Sequence, residues 1–266
     1  QRLYASPWLR AVICSSKMVR EEIRSRFSVP ESKLYVIYNP VDSERHHPGL
    51  RAERAKIIER HGIDAAATVY LIVAADFARA DVGTAIDALA QLPPPVHLVA
   101  AGDDSDVTRY RARAQARGVG DRVTFVGGVG DPRPYYGAAD VFVLPSLYDP
   151  SPDFALEAMA CALPVITSTK SGAAELLREY NGGLVCPSGD VVALADHMRA
   201  LQDPSTRAGF SADARRAVLP LSPSAITLQQ VLLYRDLLAT TGPGKTSAAE
   251  APIAEPGDPL PDRPRN

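Results

Sequence analysis

The chain has 266 residues, a formal net charge of -2 and 46% hydrophobic residues, a composition suited to one large globular domain or two modest ones. The near-neutral balance gives no electrostatic basis for nucleic acid as a partner, and no apolar run approaches the roughly 20 residues that span a bilayer. Three scattered cysteines, Cys14, Cys161 and Cys186, suit neither a disulfide framework nor a zinc site and point to a reducing cytoplasm.

The opening "QRLYASPWLRAVICSS" starts with Gln1 and reads as mid-domain sequence, so the chain is expected to be a piece of a longer protein. In chain order, β-branched runs predict strands at "RAVICS", "LYVIY", "TVYLIVAA", "VHLVAAG", "RVTFVG", "DVFVLPS" and "PVITS". Between them, amphipathic stretches predict helices over Lys17–Arg26, Leu50–His61, Gly83–Gln91, Asp106–Arg117, Pro132–Ala138 and Pro152–Ala162. Two more follow, over Asp190–Leu201 and Ser224–Leu238. Continuous apolar strands alternating with helices predict a Rossmann-like α/β fold, a parallel sheet with helices on both faces. From about Gly242 the chain turns rich in Pro, Gly, Ala and charge and cannot bury enough apolar surface to order itself. Its "GPGKTS" has neither the upstream glycine (Ala239 stands there) nor the preceding strand of a phosphate-binding loop.

Ligands of open α/β sheets bind where strands end and helices begin, because helix N-termini offer unpaired N–H groups and partial positive charge. Three such junctions carry polar residues. After "DVFVLPS", Asp149 falls in the loop, Ser151 or Asp153 can cap the next helix, and Glu157 lies one turn inside it. Two carboxylates in one crevice could read vicinal sugar hydroxyls. On spacing alone, a capping acid and a solvated helical glutamate is the favoured explanation. After "PVITS", the run "STKSGAAELL" offers Gly172 for close backbone approach and the N–H groups of a new helix, with Glu175 in its first turn. After the first central strand, "AADFARADVG" holds one cation, Arg79. Asp104-x-Asp106 has the spacing of a diphosphate-bound metal site, although turn and cap roles suit it better. No GxGxxG follows the first strands and no GxSxG occurs. His46, His47, His61, His97 and His197 show no metal spacing, so surface or packing roles are expected.

Together, "SSKMVREEIRSRFSVPESKLYVIYNPVD", "GDRVTFVG", "YYGAADVFVLPSLYDPSPDFALEAMACALPVITSTKSGAAELL" and "NGGLVCPSGD" resemble retaining glycosyltransferases of the GT-B fold. The group is the group 1 or family 4 type that includes lipopolysaccharide core glucosyltransferases. The resemblance runs from about residue 11 to 203 and is most specific around Glu157.

The resemblance implies that Glu157 holds the donor's ribose hydroxyls and Asp149 hydroxyls of the transferred sugar, these two being the candidate catalytic residues. Ser171, Gly172 and Ala173 would approach the diphosphate and sugar, and Val126 and Gly127 would lie beside the base. The family's usual Arg and Lys after the first strand are replaced by Ala75 and Ala80, and Arg79 and Lys170 are the candidate substitutes. The implied divisions are 1–33 as the remnant of an acceptor domain, 34–221 as a nucleotide-sugar-binding domain, 222–240 as a crossover helix and 241–266 as a disordered tail. The implied reaction moves a hexose, from UDP-glucose or a similar donor, to a glycolipid or lipopolysaccharide-type acceptor. No cofactor or metal is expected, transfer by this fragment alone is not expected, and the full protein is expected in the cytoplasm at the inner face of the membrane. A degenerate sugar-nucleotide-binding module is the alternative, and a UDP-sugar 2-epimerase the third.

Overall fold

The computed structural model describes residues 3–239, so the predicted tail over 241–266 and its "GPGKTS" lie outside the described residues. A small unit comes first: strand β1 (Val12–Cys14), helix α1 (Lys17–Phe27) and strand β2 (Leu34–Val36), with β1 and β2 paired in parallel. Its core is Cys14, Val29 and Leu34, with Val12, Val19, Ile23 and Phe27 packed on them. The Ser16 hydroxyl caps α1 by accepting from the Val19 N–H.

Helix α2 (Arg54–His61) leads into the main sheet. That sheet is built from β3 (Thr68–Val73), β4 (Val96–Ala101), β5 (Val123–Gly127), β6 (Val141–Leu144), β7 (Val165–Ser168) and β8 (Gly183–Cys186). All neighbours are parallel and the spatial order is β5-β4-β3-β6-β7-β8. Every residue of β3, β4, β6 and β7 is buried, which is why the sequence shows continuous apolar runs there instead of alternation. The chain order reverses between β3 and β6, and this switch point fixes where a ligand crevice can form.

The crossover helices are α3 (Phe77–Ala80), α4 (Val82–Leu89), α5 (Val107–Ala116), α6 (Arg133–Ala138), α7 (Asp153–Ala160) and α8 (Ala173–Tyr180). Helices α9 (Val191–Ala200), α10 (Pro204–Val218) and α11 (Pro223–Ala239) follow. Helix α4 packs on α5 and α9; α10 packs on α7 and α8, and α6 on α2. Asp81 caps α4, Asp190 caps α9 and Asp203 caps α10, each accepting a first-turn N–H. Helix α11 buries Ile226 and Leu233 and leaves Leu228, Val231, Tyr234 and Leu238 exposed. Among the described residues, no single helix is long and apolar enough to cross a membrane.

His97 on β4 is a packing residue, buried and bonded through Nε2 to the Thr124 hydroxyl at 2.8 Å. Burial pulls its pKa down from 6.5 to about 4. A folded pKa below the unfolded one means that the unfolded chain takes the proton first, so stability falls as pH drops from 6.5 towards 4. The loss is on the order of 3 kcal/mol. Urea unfolding at pH 7 and pH 4.5 should show it, and His97→Asn should flatten that part of the pH dependence.

Candidate functional site

The loops after β3, β6 and β7 meet at the carboxyl end of the sheet, beside the switch point. The Leu147 N–H donates to the Arg79 carbonyl at 3.0 Å, tying the β6 loop to the β3 loop. Asp149 and Ser171 form a parallel bridge: Asp149 N–H donates to the Lys170 carbonyl at 2.9 Å and Gly172 N–H to the Asp149 carbonyl at 2.8 Å. The buried Ser168 hydroxyl donates to the Ser146 carbonyl at 2.6 Å, holding the β6 and β7 ends together.

This bridging brings Asp149, Lys170, Ser171, Gly172 and Arg79 into one neighbourhood. Burial raises the Asp149 pKa, and the nearby Arg79 guanidinium opposes that rise. Arg79 and Lys170 are both exposed. Ala75 is exposed too, whereas Ala80 is buried. A long cation could therefore be accommodated at 75 more readily than at 80.

One expectation for this loop is corrected. Neither Ser151 nor Asp153 caps α7; the N-cap position is Pro152, with no side-chain cap bond. Asp153 lies inside the first turn and accepts from Asn39 Nδ2 at 2.8 Å, a long-range contact that outcompetes the local one. Gly172 has an ordinary helical backbone (φ -63°), so its value is space and not torsional freedom. A Cβ there would lie 2.6 Å from the Pro150 carbonyl oxygen and 3.0 Å from Ser16 Cβ. Packing against Pro150 and Ser16 is thus one requirement for glycine here. The Ala173 N–H donates to Ser171 Oγ at 3.3 Å.

Glu157 stands in a neighbouring cluster. Tyr136 on α6, buried, shares its one phenol O–H between Glu157 Oε2 at 2.8 Å and the Phe154 carbonyl at 3.2 Å. His46 Nε2 lies 3.7 Å from the same carboxylate oxygen and its ring meets Tyr136 edge-on. Burial and the Glu157 charge push the Tyr136 phenol well above its ordinary pKa, keeping it a donor. The carboxylate keeps about a quarter of its side-chain surface open, so it can still accept from a ligand.

Val126 and Gly127 end β5, at the sheet edge two strands from β3, where the Gly127 carbonyl accepts from Gly102 N–H at 2.9 Å. Gly102 is required there, since a Cβ would run into the Ala74 carbonyl. Asp104 acts as a turn residue, accepting from Phe77 N–H and Asp106 N–H, each at 2.8 Å. Among the described residues, no group of three or more His, Cys, Asp or Glu is placed to hold a metal ion.

Sequence reasoning missed Tyr136 and His46 beside Glu157, and the true partners of Glu175. Glu175 does lie in the first turn of α8, but its carboxylate accepts from the Lys17 and Met18 N–H groups of α1 and from the Tyr38 hydroxyl.

Residues 53–217, more than half of the chain, match the family described as Glycosyl transferases group 1. The chain belongs to that family. Residues 1–45 match Glycosyltransferase Family 4. Among curated relatives, the uncharacterized glycosyltransferase MJ1607 of Methanocaldococcus jannaschii is 34% identical over 185 residues, covering 66% of this chain and 47% of the relative. The lipopolysaccharide glucosyltransferase WaaG of Escherichia coli is 31% identical over 131 residues, covering 48% of this chain and 35% of WaaG. Among solved structures, Anabaena HepE in complex with UDP and glucose superposes with a TM-score of 0.76 at 23% identity, over 85% of this chain and 63% of HepE. This group 1 glycosyltransferase chain thus spans about half the length of MJ1607 and a third of WaaG. Its α/β fold is that of GT-B enzymes.

Proposed function

We propose that this chain is the donor-binding half of a retaining glycosyltransferase. In the full-length protein it would transfer a hexose from a nucleotide sugar, UDP-glucose being the first donor to test, to a glycolipid or lipopolysaccharide-type acceptor. The observation that carries the reading is the Asp149–Ser171 bridge, which sets a carboxylate, two exposed cations and the start of α8 together at the switch point. Asp149 reads the sugar, Glu157 the ribose, and Arg79 and Lys170 face the diphosphate as it departs. Val126 and Gly127 flank the base. The nucleotide sugar is a substrate, and no resident cofactor is invoked. The likeness to WaaG supports the acceptor class, and that to HepE, solved with UDP and glucose, supports the donor. An acceptor of this kind places the full-length protein at the inner face of the membrane. Calorimetric titration of the folded chain with UDP and UDP-glucose tests the reading; no binding at millimolar ligand would sink it.

Ala75 and Ala80 favour a second reading, a module that binds sugar nucleotides without transfer. Charge-assisted hydrogen bonds contribute about 1.5–3 kcal/mol each. Ala75→Arg is therefore expected to tighten UDP binding by roughly ten- to a hundredfold if the alanines mark a weakened site. Unchanged affinity would mean that Arg79 and Lys170 already serve.

A further inference from the structure

The unit β1–α1–β2 meets the main domain at the loop carrying Asp149 and at helix α8. Ser15 and Ser16 both donate their hydroxyls to the Pro150 carbonyl, at 3.2 and 3.1 Å. Tyr148 donates to Glu22 Oε2 on α1 at 2.8 Å. Ser16 also occupies the space that a side chain on Gly172, the partner of the Asp149 carbonyl, would need. Residues 148, 149 and 150 are thus gripped from the α1 side at both neighbours of the carboxylate.

Glu175 sets the seat of α1. Its Oε1 accepts from Lys17 N–H at 2.7 Å and from Tyr38 O–H at 2.5 Å, and its Oε2 accepts from Met18 N–H at 3.1 Å. A carboxylate facing the first amides of a helix also complements the helix dipole. Tyr38 lies in the segment that leads out of β2, so one side chain of α8 holds both the start of α1 and the exit from β2. The Lys17–Glu179 pair beside it is about half exposed and adds little.

We propose that Glu175 is a positioning residue. By fixing the N-terminus of α1 it holds Ser15 and Ser16 on the Pro150 carbonyl and so orders the Asp149 carboxylate. The functional part rests on Asp149 reading the donor sugar; the structural part does not.

Lys17 offers a substitution that leaves the fold intact. It is the first residue of α1, where proline is tolerated, and Ser16 before it is extended (φ -161°, ψ 162°). Lys17→Pro deletes the N–H that Glu175 accepts, whereas Lys17→Ala deletes only the surface ion pair. Amide hydrogen exchange of the whole chain is measured in both variants and in Glu175→Ala. Exchange at Asp149 and Gly172 should quicken by about tenfold or more in Lys17→Pro and Glu175→Ala, and stay within about twofold in Lys17→Ala. Amides in β3 and β4 should not change. Unchanged exchange at Asp149 and Gly172, or an equal rise in the central strands, overturns the proposal. In a separate titration, Lys17→Pro and Glu175→Ala should keep their UDP affinity and lose the extra affinity of UDP-glucose over UDP, whereas Lys17→Ala should keep both. If the parent chain binds neither nucleotide, the donor reading fails, while the exchange result still decides the role of Glu175.

Discussion

Glu157→Ala should abolish detectable UDP binding by this chain while leaving it folded. A carboxylate accepting from two ribose hydroxyls contributes two charge-assisted hydrogen bonds, so the loss is on the order of 3–6 kcal/mol. That corresponds to roughly 10²–10⁴ in affinity. The fold should survive because Tyr136, the buried partner, keeps the Phe154 carbonyl as an acceptor at 3.2 Å. Glu157→Gln separates charge from shape: it preserves the volume of α7 and should retain only a small part of the affinity. Titration calorimetry with a thermal melt of each variant reads both quantities. A folded Glu157→Ala chain that binds UDP as tightly as the parent would remove Glu157 from the site.

Asp140→Ala should be the most damaging single change to stability. The carboxylate is almost fully buried and accepts from Arg51 at 2.8 Å, Arg54 at 3.0 Å and the Val69 N–H at 2.8 Å. Through these bonds it fastens the segment before β3 to the start of β6. Removing it leaves the largely buried Arg54 guanidinium with two carbonyl acceptors but no counter-charge, and takes the acceptor from the Val69 amide at the beginning of the central strand. Breaking a buried pair in this way costs about 3–5 kcal/mol. Arg51→Ala should cost far less, because Arg51 is half exposed and Arg54 keeps the carboxylate paired. Urea unfolding of the three chains checks the ranking; equal midpoints for Asp140→Ala and the parent would refute it.

The sheet was legible because burial on both sides leaves a direct mark on composition. The runs around Tyr70, Leu98 and Phe142 could be little else than central parallel strands. Strand β8 was missed because it is a four-residue edge strand beginning with Gly183. Helix α10 was missed because it buries only Ala214, Ala217 and Val218 and so lacks a clear apolar stripe, although Asp203-Pro204 marked its start. In the site, the loop and helix junctions followed from the alternation of elements. The partners did not. Tyr136 meets Glu157 across 21 residues and Tyr38 meets Glu175 across 137, and no local spacing encodes either contact. Asp153 shows the same effect in reverse: a plausible cap was drawn away by Asn39, 114 residues upstream.

The reversal of strand order between β3 and β6 also has a cost during synthesis. Strands β3, β4 and β5 leave the ribosome in an order that lets them pair at once, one beside the next. The other edge of β3, a strand buried at every residue, stays open until Val141 and Phe142 arrive some seventy residues after their partners Tyr70 and Leu71. An unpaired apolar edge is a template for other chains. Truncations that end between Gly127 and Asp140 expose that edge permanently, and aggregation is their natural fate. Expression boundaries for this protein therefore belong beyond β8, where the second half of the sheet is complete.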